Sequence, residues 1–143
     1  MIYKTKLIRS SIVALISFCC FFTFSFSSNA ATKEYGPWKI TSYTKGKDWD
    51  TVMIYPNKGT TVEIKIKQYG VHKGEQANIL WRMFEAGTVG PEGWTEKIST
   101  DWNGTLTFTG MDPQKDYTIG WIANTDNDMS GQWSVVIDGR VIR

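Results

Sequence analysis

Tyr117-Thr118-Ile119-Gly120-Trp121-Ile122-Ala123 is followed by a polar loop, Asn124 to Gly131, and then by Gln132-Trp133-Ser134-Val135-Val136-Ile137. Two apolar runs rich in β-branched and aromatic residues flank a segment of Asn, Asp, Ser and Gly, which is the pattern of two paired strands. Apolar residues fill nearly every position of both runs, so both are expected at the centre of a sheet, covered on more than one side.

Upstream, Thr61 to Gln68 alternates strictly. Val62, Ile64 and Ile66 fall on one face, and Thr61, Glu63, Lys65 and Lys67 on the other. Period two gives a strand with one dry and one wet face. Trp38 to Tyr43 and Trp49 to Tyr55 read as two earlier strands, with Ala31 to Pro37 as a polar lead-in. Pro56-Asn57-Lys58-Gly59 stops the second, because Pro lacks a ladder donor and Asn and Gly accept turn geometry. Asn78 to Ala86 has helical propensity, but its length and Gly-rich flanks make it a strand. Gly90-Pro91-Glu92-Gly93 is a turn, and Thr95 to Thr100 a short edge strand.

Asn103-Gly104 and Asp138-Gly139 each lie between apolar segments, and both pairs favour the primed turns of hairpins. Two hairpins are therefore expected, one of them folding the chain back at its end. Asn103-Gly104-Thr105 also fits an N-glycosylation pattern. Repeats, heptads and low-complexity tracts are absent from the sequence. Seven to nine short strands without a helix predict an all-β, single antiparallel β-sandwich, with a small barrel as the alternative.

The first 30 residues read as a secretory leader. Lys4, Lys6 and Arg9 precede an apolar stretch from Ile12 to Phe26, and Ser28-Asn29-Ala30 supplies small residues at a cleavage point. A membrane anchor needs about 20 apolar residues, and this stretch is shorter and interrupted by Ser17, Thr23 and Ser25. Cleavage is expected after Ala30, giving a single secreted domain, residues 31 to 143, with no stable membrane insertion. Cys19 and Cys20 both lie in the leader, so no disulfide staples the domain.

The leader also carries the basic excess. Without Lys4, Lys6 and Arg9, the 16 basic residues fall to 13 against 14 acidic ones. That balance gives no reason to expect nucleic acid as a partner. Residues 33 to 73 are net basic and 74 to 143 net acidic, an asymmetry that interleaved strands would cancel in space.

Catalytic chemistry finds little support. His72 is the single histidine, on a Gly-rich loop, with neither a Cys nor a Gly-x-Ser-x-Gly elbow in the domain. Glu85, Glu92, Glu96 and Asp101 could form a hydrolytic pair only at a defined separation in a cleft. A solvated acidic face is the simpler expectation. Asp126, Asp128 and Ser130 echo the first half of a calcium loop, but Ile137 stands where its closing carboxylate should be. A polar strand connection explains these residues without a cofactor.

All seven Trp lie in the domain. Trp38, Trp81, Trp121 and Trp133 sit within strand patterns and are expected in the core. Trp49, Trp94 and Trp102 sit beside turns, where they either cap the ends of the sandwich or, if exposed, form flat platforms for sugar rings, bases or a membrane interface. The expected function is that of a small secreted, non-enzymatic binding protein for a cell-envelope or extracellular glycan. A secreted toxin or antimicrobial effector acting on membranes or rival cells is the alternative, with a hydrolase behind both.

Overall fold

The computed structural model describes residues 31–57, 61–87 and 93–143. Among these residues nine strands run in chain order. They are β1 (Lys33–Ser42), β2 (Trp49–Pro56), β3 (Val62–Gly70), β4 (Ile79–Glu85), β5 (Trp94–Ile98), β6 (Trp102–Phe108), β7 (Tyr117–Ala123), β8 (Met129–Ile137) and β9 (Gly139–Ile142). They form two antiparallel sheets, ordered β1-β8-β3-β6 and β5-β4-β7-β2-β9. The molecule is a β-sandwich with no helix among the described residues. Strands from the basic and acidic halves of the chain mix within each sheet.

The core lies between the sheets. Ile40, Val62, Ile64, Val135 and Ile137 point inward from the four-stranded sheet, and Val52, Ile54, Ile79 and Ile119 from the five-stranded one. At its centre Trp81 meets Trp133 edge-on at 5.5 Å, and Trp38 lies 4.8 Å from Trp133 on the other side. Trp38 is only partly buried, whereas Trp81, Trp121 and Trp133 are buried.

Gln68 provides the polar anchor of this core. Its Nε2 donates to the Ile98 and Thr100 carbonyls, each at 3.0 Å, and its Oε1 accepts from Trp81 Nε1 at 3.0 Å. Every hydrogen-bonding group of the amide is thereby used, which makes its burial tolerable.

Four local expectations from the sequence are corrected. The Tyr117 and Met129 strands do not pair. β7 already lies between β2 and β4, and β8 between β1 and β3, so each is the centre of a different sheet. For the same reason Asp138-Gly139 is not a hairpin, since β8 has no free side to receive β9. The chain instead crosses to the other sheet, where β9 pairs with β2. Asn57 anchors the crossing by donating its backbone N–H and its side-chain Nδ2 to Asp138, at 2.9 and 2.7 Å.

Asn103-Gly104 is not a turn either. It lies inside β6, with Gly104 opposite Ile66. The Trp102 ring folds over this glycine, so a Cβ there would push the ring aside. Finally, the lead-in is part of β1, which starts at Lys33 and is paired with β8 through an irregularity between Tyr35 and Trp38. Tyr35 fastens it by donating its hydroxyl to the Gly139 carbonyl at 2.8 Å. The turn expected at Gly90-Pro91, residues 58–60 and the leader lie outside the described residues.

Candidate functional site

The three turn-proximal tryptophans occupy separate surfaces. Trp94 points inward from the edge strand β5 and packs edge-on against Phe108 at 4.5 Å. Trp102 is half-buried in the other sheet, against Gly104. Trp49 stands apart, with 65% of its surface exposed on the outer face of the five-stranded sheet.

The β1–β2 loop holds Trp49 in place. One oxygen of Asp48, Oδ2, accepts from Ser42 Oγ, Tyr43 N and Thr44 N at 2.9, 3.0 and 3.1 Å. The Tyr43 amide is foremost among the donors that hold this carboxyl below its ordinary range. The loop also bonds to the end of β7, where Gly46 N donates to Ala123 O and Ala123 N to Asp48 O. Trp49 follows directly and pairs with Ile122.

Beside Trp49 lies a recess of about 280 Å³. Trp49 and Thr51 of β2 form one wall, Arg82 and Phe84 of β4 the other, and Gly120 and Ile122 of β7 the floor. Register explains the shape, because Thr51, Gly120 and Arg82 form one cross-strand row. The middle member has no side chain, so the row is open at its centre. A Cβ at Gly120 would collide with the Asp50 carbonyl and the Thr51 side chain. The Arg82 guanidinium lies 5.7 Å from the Phe84 ring, within cation–π range. The site thus offers an exposed indole, a second aromatic ring and a cation around an apolar floor. Such a surface suits a flat ligand.

A second recess, on the outer face of the four-stranded sheet, is lined by polar groups including Glu34, Lys65, Gln132 and Ser134. Its polar groups are partly committed to one another. Glu34 accepts from Lys65 Nζ at 2.7 Å and from Ser134 Oγ at 2.6 Å, and these bonds, Lys65 first, hold its carboxyl below the ordinary value. It presents no exposed aromatic ring comparable with Trp49.

The other candidates are dispersed. His72 Nε2 lies 2.6 Å from Asp128 Oδ2 on the exposed end of the sandwich. Asp126 accepts from Lys45 N at 2.8 Å, and Ser130 sits within β8 opposite Thr41. The calcium candidates therefore serve three separate local contacts. No group of three or more His, Cys, Asp or Glu gathers at ion-holding distance among the described residues. Asp101 accepts from Gly70 N and Ala77 N, and Glu85 pairs with Lys115 at 3.0 Å. Glu96 lies on the edge strand β5, and Glu92 is outside the described residues.

Arg82, Phe84 and Gly120 were not singled out by sequence reasoning. The signal available was the alternation in β4, where Leu80, Arg82 and Phe84 oppose Ile79, Trp81 and Met83. The charge of Arg82 marks its face as the outer one. No protein-family model matches the chain, and no curated protein is detectably similar to it.

Proposed function

We propose that the protein is a small exported, non-enzymatic binding module that holds one ring of an extracellular or cell-envelope glycan in the Trp49 recess. The observation that carries this reading is the exposure of Trp49 beside a floor opened by Gly120. A large indole left in water contributes little to the core, and stacking on a sugar ring gives it a use. The loop that precedes Trp49 is fixed by the Asp48 carboxylate, so little ordering is needed when a ligand arrives. Export rests on the basic, apolar, small-residue order of residues 1 to 30.

The membrane-active alternative is less favoured. It calls for one protruding apolar patch, whereas Trp94 and Trp102 pack inward and Trp49 borders a recess.

Pull-down on immobilised envelope glycans, followed by calorimetry on the polymer retained, tests the reading. Trp49→Ala should weaken binding by about 1–3 kcal/mol, the range for stacking on an aromatic platform. Wild-type affinity in that variant, or no retention by any glycan, would refute it. Mass spectrometry of culture medium should find a chain beginning at Ala31.

A further inference from the structure

The recess is lined by one charged side chain, Arg82. Cross-strand register defines the outer face of the five-stranded sheet. One row is Trp49, Ile122, Leu80 and Lys97; the next is Thr51, Gly120, Arg82 and Thr95; the third is Ile142, Met53, Thr118 and Phe84. Tyr55 and Arg140 extend it on the β9 side, with the Arg140 guanidinium 4.4 Å from the Tyr55 ring. Arg82 and Lys97 are the charged side chains of the first three rows, which hold no carboxylate; Arg140 lies in the next row, whose far end is Asp116. The opposite face of the sandwich mixes both signs, as in the Lys65–Glu34 pair. Net charge cannot account for the difference, because the domain has 13 basic and 14 acidic residues once Lys4, Lys6 and Arg9 are set aside.

Arg82 is the informative member. It is half-buried at the recess wall, and no carboxylate pairs with it among the described residues. A guanidinium is a planar fork that matches carboxylate and phosphate oxygens with two parallel bonds. Low-dielectric walls on either side strengthen its field in the recess. The apolar side chains flank a recess and do not project as a ridge, which suits a ring entering edgewise better than a bilayer surface.

We infer that the ligand of the Trp49 recess is an acidic glycan whose carboxylate or phosphate group is bound by Arg82, with Lys97 and Arg140 meeting further acidic groups along the polymer. This rests on the ring-binding reading above and adds the charge of the ligand to it.

Three ring polymers separate the possibilities. Polygalacturonate carries carboxylates, phosphomannan carries phosphates, and fully methyl-esterified polygalacturonate carries neither. Wild-type protein should bind at least one of the two acidic polymers roughly tenfold or more tighter than the ester, the scale expected of charge-assisted hydrogen bonds. Arg82→Gln should erase that preference, so that the variant binds the acidic polymers and the ester within about twofold of one another. Lys97→Gln, on an exposed edge strand, should weaken acidic binding and its salt dependence to a smaller degree. A thermal melt of each variant verifies that it is folded. The better of the two acidic polymers identifies the group recognised.

Equal binding of all three polymers, with Arg82→Gln silent and Trp49→Ala weakened on each, would overturn the acidic class and leave the ring site standing. Retention only by phosphatidylglycerol vesicles, or by no polymer, would overturn both.

Discussion

Replacing Gln68 by Met tests whether the buried amide holds the two sheets together. Met has nearly the same length and no amide, so the change removes three hydrogen bonds without opening a large cavity. Their losses are unequal. Trp81 is fully buried, and its indole N–H has no other acceptor among the described residues; leaving it unpaired costs about 1–3 kcal/mol. The Ile98 carbonyl belongs to a nearly buried residue and adds about 1 kcal/mol. Thr100 is exposed, so water replaces its bond at little cost. These losses total about 2–4 kcal/mol, and burying a thioether in place of an amide offsets part of them. The expected net loss is about 1–3 kcal/mol, a large share of a stability near 5–15 kcal/mol. At about 4 °C per kcal/mol for a domain of this size, Tm should fall by roughly 4–12 °C. Urea unfolding followed by tryptophan fluorescence, with calorimetry beside it, measures both quantities. Adding Trp81→Phe should cost less than the sum of the single changes, because the orphaned donor is then gone. A loss below about 1 kcal/mol for Gln68→Met would refute the reasoning, since it would mean that the amide merely recovers its own desolvation.

The tryptophans and Asp48 give two more tests. Trp94→Ala should cost about 2–4 kcal/mol because its ring packs on Phe108, whereas Trp49→Ala should cost less than about 1 kcal/mol; paired denaturation curves compare them. Asp48 has a folded-state pKa below its unfolded value, chiefly through the Tyr43 amide and the Ser42 hydroxyl, so its stabilisation is full above about pH 4 and is lost as pH falls through the depressed value. Melts from pH 6 down to pH 2 should show a shallower acid loss in Asp48→Asn than in wild type.

The local period of the sequence was enough to identify strands and the faces they present. Val62, Ile64 and Ile66 are buried as their alternation implies, and Trp81 and Trp133 meet at the centre of the core. Connectivity was not legible in the same way. Asn103-Gly104 has the chemistry of a turn, yet it lies inside β6 with the Trp102 ring folded over the glycine. Asp138-Gly139 reads as a hairpin until β8 is known to be flanked on both sides. The recess was hidden for a related reason. Thr51, Arg82 and Gly120 become neighbours only through cross-strand register, which no local pattern encodes. Trp49 was visible as a candidate because its turn-side position could be read directly, but its separation from Trp94 and Trp102 depends on which sheet each strand joins.

The pairing of β1 with β8 also governs how the chain can reach this structure. Lys33 lies opposite Ile137, and among the described residues β8 is the only strand that hydrogen-bonds β1. A chain ending before Met129 would leave β1 without a ladder partner and β3 with β6 alone. Closing so long a loop costs entropy before the contacts it permits can compensate, which places this fold among the slower, millisecond-to-second folders. Its N-terminal strands, with Trp38 and Ile40 uncovered, must therefore remain soluble until β8 is available to sit between β1 and β3.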